Sequence, residues 1–132
     1  MALNPHEEQF ARAFIEPAKQ ERYLSMLESA KGRARLVAKF PHCRDLNMSY
    51  ATLVPAAQQN AEAIAKLLEQ RGAPDVCHVM SADRDIDNRA LPLEKALDEA
   101  GGMNRGTFIS CIPGKLDYFE FEDLGERYVL AR

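Results

Sequence analysis

The chain has 132 residues, 46% of them hydrophobic and 28% charged, with a formal net charge of −3. That is the size of one domain, able to bury roughly two thirds of its unfolded surface, and the composition is ordinary for a soluble globular protein. No apolar run approaches the roughly 18 residues of a membrane-spanning helix, and three cysteines, an odd number, argue against a disulfide framework.

The N-terminal stretch Met1-Ala-Leu-Asn-Pro-His-Glu-Glu lacks the basic and apolar regions of a signal peptide, so a cytoplasmic location is expected. The spacing then predicts an N-terminal helical segment over about residues 5–31. Asn4 is a candidate N-cap, Pro5 suits the first helical position, and Glu7 follows three residues after the cap. Phe10 and Phe14 share a face, with Ile15 beside them. Pro17 interrupts the helix or restarts it, Tyr23, Leu24 and Leu27 continue it, and Gly32 is the expected stop.

A strand is expected over Ala34 to Phe40, centred on Leu36-Val37-Ala38 and ended by Pro41. His42-Cys43-Arg44-Asp45 opens a loop running to Leu53. The clearest helix starts at Pro55, carries Ala57, Ala61, Ile64, Leu67 and Leu68 as its stripe, and stops at Gly72 and Pro74. Val76 to Met80 reads as a buried strand, Ser81 to Asn88 as an acidic loop, and Pro92 as the start of a helix through Leu93, Ala96 and Leu97, closed by Gly101-Gly102.

Thr107 to Ile112 has the β-branched and aromatic content of a strand covered on both faces. Pro113-Gly114 forms a turn, with proline presetting φ and glycine supplying a positive φ. Leu116 to Glu122 alternates apolar and acidic residues, as a strand with one wet face would. Tyr128-Val129-Leu130, joined through Leu124-Gly125, gives the last strand. The expected fold is α+β (mixed α/β): one domain over 1–132, a mixed four- to five-stranded sheet with a C-terminal antiparallel hairpin, and helices packed on it.

Charge is unevenly placed. From Lys19 to Arg44 seven Lys or Arg face only Glu21 and Glu28, a balance of +5, while the rest of the chain from Asp45 carries fifteen acids against nine bases, or −6. Such asymmetry either marks a polyanion-binding face or is an ordinary solvated surface. The basic stretch Lys31-Gly-Arg-Ala-Arg35 has few interleaved aromatics and the sequence pI is about 5.6, so nucleic acid is not the expected partner.

Candidate chemistry is sparse. Asp83, Asp85, Asp87 and Glu94 fall at positions 1, 3, 5 and 12 of a calcium-loop spacing, but Asn88 stands at the glycine position, Arg84 and Arg89 oppose, and a strand precedes the loop. The bland reading is a solvated strand-to-helix loop. His42, Cys43, Cys77, His78 and Cys111 lack the paired spacing of a zinc site. Cys111 and Cys43 are candidate nucleophiles if a histidine lies close in space, against the alternative of inert thiols. Gly101 to Gly106 is glycine-rich but runs from helix to strand, opposite to a phosphate loop.

No constellation with supporting context names a function, and no cofactor or metal is implied. The leading expectation is a small non-catalytic binding or regulatory protein, partnered by a second copy through the apolar N-terminal helices or by another protein, with no membrane. The alternative is a small enzyme with its site at the carboxyl ends of strands, built from His42 and Cys43, Ser81 and Asp83, or Cys111 and Lys115, with Arg44 as a ligand contact.

Overall fold

The computed structural model describes residues 3–100, 106–121 and 126–132. The first helix, α1 (Pro5–Phe14), begins where the sequence places it: the Asn4 side chain accepts from the His6 and Glu7 amides. Pro17 starts a new helix rather than a kink, α2 (Pro17–Leu27), after Ile15 and Glu16 leave helical geometry.

The next segment is helical, not extended. Helix α3 (Ala30–Ala38) is capped by Ser29, whose hydroxyl accepts from the Gly32 amide. Leu36-Val37 with Phe40 forms an i, i+1, i+4 apolar face on the core, a spacing that a three-residue apolar run cannot distinguish from a strand. Gly32 does not stop a helix. It lies in the first turn of α3, where an added Cβ would sit 2.4 Å from the Met26 carbonyl oxygen, so its missing side chain lets α2 and α3 approach.

Short 3-10 turns follow at Phe40–His42 and Met48–Tyr50, then strand β1 (Ala51–Leu53) inside the expected loop. Pro55 leads into a third 3-10 turn, Ala56–Gln58. The helix itself, α4 (Ala61–Gln70), waits for Asn60, whose side chain caps the Ala63 amide. Then come β2 (Val76–Ser81), β3 (Arg89–Pro92), α5 (Leu93–Ala100), β4 (Thr107–Ile112), β5 (Leu116–Glu120) and β6 (Arg127–Ala131). Gly114 takes φ +73 in the Pro113-Gly114 turn, as its sequence context requires. The glycine-rich stretch 101–105 and the Leu124–Gly125 link lie outside the described residues.

The sheet has six strands in the order β1-β6-β5-β4-β2-β3, and every hydrogen-bonded pair is antiparallel. The expected sheet was mixed and smaller. Both helical crossovers do join strands of the same direction, β1 to β2 through α4 and β3 to β4 through α5, but neither joined pair is adjacent in the sheet. The two short edge strands that the sequence hid, β1 and β3, fill the difference: β3 pairs on the far side of β2, and β1 pairs with β6.

Two cores result. Helices α1–α3 cover one sheet face over an aromatic cluster that includes Phe10, Phe14, Phe40, Phe108 and Phe119. Helices α4 and α5 cover the other over Ile64, Leu68, Val79, Leu97, Ile109 and Tyr118. The N-terminal apolar face is therefore spent inside the chain: Phe10, Phe14 and Ile15 are 0% exposed, Tyr23 5% and Leu27 7%. Strand β5 has no wet face either, since Asp117 and Glu120 are 0% and 3% exposed. No helix among the described residues is long and apolar enough to cross a membrane.

Candidate functional site

A cleft lined by several cationic side chains lies against α2 and α3. Lys19, Arg22, Tyr23 and Met26 recur at i, i+3, i+4, i+7 and so share one face of α2. The end of α3 adds Leu36 and Ala38, and the following turn adds Lys39, His42, Cys43, Arg44 and Asp45. Together they line a cleft of about 350 Å³.

The turn is fixed from several sides. The Cys43 amide donates to the Phe40 carbonyl at 3.1 Å, the Glu16 amide to the Asp45 carbonyl at 2.8 Å, and the Asn47 amide to the Phe14 carbonyl at 2.7 Å. Ile15 and Leu46 form an isolated antiparallel bridge. Phe40, the first residue of the turn, is held edge-on to Phe10 and Phe119 in the core.

Among the described residues four cations face this cleft, Lys19, Arg22, Lys39 and Arg44, against one acid, Asp45. None of the four forms an ion pair among the described residues. Arg44 instead donates to the Cys43 carbonyl at 3.1 Å and stands 5.5 Å over the Phe121 ring. Asp45 is already engaged, accepting from the Tyr23 hydroxyl at 2.8 Å, and Cys43 Sγ lies 3.6 Å from the same hydroxyl.

These neighbours disfavour nucleophilic chemistry. Burial pushes the Cys43 thiol up and outweighs the hydrogen bonds of the Asp45 amide and the Tyr23 hydroxyl, which pull it down; the Asp45 charge adds to the rise and the Arg44 charge opposes it. Burial likewise pushes the Tyr23 hydroxyl up, reinforced by Cys43 and Asp45. Both groups stay protonated near neutrality and offer hydrogen bonds rather than attack.

A second polar constellation is enclosed under α1. The Glu7 carboxylate, 4% exposed, accepts from Arg33 at 2.8 and 2.9 Å and pairs with His78 Nε2 at 2.7 Å. Arg33 also holds Asp87 at 2.7 and 3.0 Å. Burial would raise the Glu7 pKa, but the hydrogen bonds and charges of His78 and Arg33 outweigh it and hold the carboxyl below its usual range. His6 stacks on His78 with centroids 5.5 Å apart, and its Nδ1 lies 2.7 Å from the Ser110 hydroxyl.

Asp117 sits opposite Ser110 in the β4–β5 register. It is fully enclosed, and neither carboxylate oxygen has a hydrogen bond among the described residues. The Ser110 hydroxyl and Cys111 amide lie near enough to ease a charge there without reaching bonding geometry. Burial dominates and pushes the carboxyl well above the usual carboxylate range.

Of the residues singled out in the sequence, His42, Cys43 and Arg44 come together in the cleft. Ser81 and Asp83 meet in a structural turn, in which the Ser81 hydroxyl accepts from the Asp83 amide and pairs with the Thr107 hydroxyl. Cys111 is buried toward α4 and α5, where the adjacent Cys77 thiol and burial push it up, and Lys115 stands exposed in the hairpin turn. The calcium spacing is used differently. Asp83 accepts from the Asp85 amide, Asp87 is taken by Arg33 and the Ser81 amide, and Glu94 is exposed. No three His, Cys, Asp or Glu among the described residues group as a metal site would need.

Lys19, Arg22 and Lys39 were not singled out individually. Their signals were the +5 charge balance of residues 19–44 and the helical spacing of Lys19, Arg22 and Met26. No protein-family model, curated protein or solved structure matches the chain.

Proposed function

We propose that the protein is a small non-catalytic binding module whose ligand is a phosphate-bearing small molecule held in the cleft between α2, α3 and the 40–45 turn. The observation that carries this reading is four cationic side chains around a cavity of about 350 Å³, with no ion pair to any of them among the described residues. Like charges converging without a partner raise each other's energy, and an anion relieves that. Arg22 and Arg44 supply planar donor forks suited to phosphate oxygens.

The alternative, an enzyme using Cys43 with His42, has less support. The Tyr23 hydroxyl lies at hydrogen-bond distance from the Cys43 sulfur, and burial keeps the thiol protonated. A homodimer through α1 and α2 loses its rationale, because the apolar face offered to a second copy closes the monomer's own core. A cytoplasmic setting suits three buried, unpaired thiols.

Calorimetric titration with inorganic pyrophosphate at low salt tests the reading. Binding should weaken by about tenfold or more in Arg22→Glu/Lys39→Glu with the melting temperature unchanged, and should fall with added salt. No binding of pyrophosphate at millimolar concentration would sink it.

A further inference from the structure

The cationic cleft does not end at Arg44. A second cavity of about 320 Å³ adjoins it, with Cys43 and Arg44 lining both. Leu46, Met48, Phe121 and Tyr128 contribute apolar and aromatic groups to its walls, and among the described residues its charged groups besides Arg44 are the acids Glu16 and Glu126. Phe121 and Tyr128 are fixed edge to face, at 5.7 Å and 88°, and the Arg44 guanidinium stands over Phe121. The pair of cavities is thus polarised, with cations on one side of Arg44 and aromatic rings with carboxylates on the other.

We propose that the ligand is a nucleoside monophosphate, with its phosphate among Lys19, Arg22 and Lys39 and its base in the adjoining cavity beside Phe121 and Tyr128. This rests on the anion-cleft reading and extends it. An inorganic anion would occupy only the first cavity, whereas a nucleotide joins an anion to a neutral planar ring through a sugar of a size to pass Arg44. The carboxylates of Glu16 and Glu126 repel a second phosphate, which fixes the orientation. They also accept from exocyclic amino groups, so bases carrying such groups bind better than uracil. Arg44 serves both halves, as a phosphate donor on one side and a planar cation on the ring side.

The test compares pyrophosphate, ribose 5-phosphate, adenosine, and the monophosphates of adenosine, guanosine, cytidine and uridine by calorimetry on the full chain. At least one amino-bearing nucleotide should bind at least about fivefold tighter than ribose 5-phosphate, the gain expected from one base stacked on aromatic groups. Tyr128→Ala should erase that gain and leave pyrophosphate affinity unchanged. Glu16→Gln, at an exposed position, should narrow the preference over uridine monophosphate without touching the fold. Ribose 5-phosphate binding as tightly as every nucleotide would overturn this inference while the anion cleft stands. Silence with pyrophosphate and all the phosphorylated probes would overturn both.

Discussion

The outer cleft and the network under α1 use the same kinds of charged side chain to opposite ends. Under α1, Glu7, Arg33, His78 and Asp87 are joined by bonds of 2.7–3.0 Å, with the Arg33 guanidinium held between two carboxylates. Around the cleft, Lys19, Arg22, Lys39 and Arg44 line one cavity with one acid among its described residues, and that acid is committed to Tyr23. Removing a charge from the first place leaves a buried partner uncompensated, whereas removing one from the second relieves repulsion. On the proposed anion-binding reading, stability and ligand binding should be separable in this protein, and which one a substitution affects tells which role the charge plays.

The sharpest break comes at Glu7. Glu7→Ala leaves the Arg33 guanidinium with Asp87 alone and His78 without its carboxylate beneath α1, and should cost about 3 kcal/mol in urea denaturation, the lower end of the loss for a broken buried pair, because Arg33 keeps its second partner and some solvent contact. Pyrophosphate affinity per folded molecule should not change. The pH dependence carries the same signature. Glu7 is held below its usual range, so its contribution is present above the unfolded carboxylate pKa and lost as pH falls through the folded one. Glu7→Gln should flatten the acid limb of the stability curve below about pH 4.5, the ordinary glutamate range.

Asp117 inverts that sign and should move stability by less. Its pKa is raised on folding, so the folded chain holds an extra proton between the ordinary carboxylate pKa and the raised one. Stability from this group falls as pH rises through that window. Asp117→Asn removes the titration, so the variant should gain on the parent as pH goes from 4 toward neutrality, by about 1 kcal/mol in thermal or urea melts. A loss of stability at neutral pH would show that the enclosed carboxyl has a bonding role that the geometry does not display.

The smallest stability effect belongs to the cleft. Lys19→Glu or Arg22→Glu should change unfolding free energy by no more than about 0.5 kcal/mol, the range for surface positions, while reducing anion binding. A destabilisation as large as that of Glu7→Ala would place these cations in the structural group and remove the distinction.

Local stereochemistry was readable wherever it needed no distant partner. The Asn4–Pro5 start, the break at Pro17 and the Pro113-Gly114 turn all follow from which residues cap, restart or reverse a backbone. The long uncharged run of β4 was likewise plain, since hydrophobicity over six residues needs burial on both faces. Leu36-Val37-Ala38 was not, because three apolar residues fit a strand as well as a helix and only the Ser29 cap and the packing on α2 decide.

The rest lay in pairings across long stretches of chain. Glu7 meets His78 across 71 residues, Arg33 meets Asp87 across 54, and His6 meets Ser110 across 104. No spacing rule reaches that far. The alternating acids of β5 looked solvated because alternation reports two unlike faces, not which of them is wet; the second layer of helices enclosed both. The cleft was half legible. The excess of positive charge over residues 19–44 was in the sequence, but its convergence required α3 to be a helix that folds back on α2 and brings Lys39 toward Lys19 and Arg22. Composition determined that this segment would carry charge. Only the packing of two helices and a pinned turn decided that the charges would share a cavity.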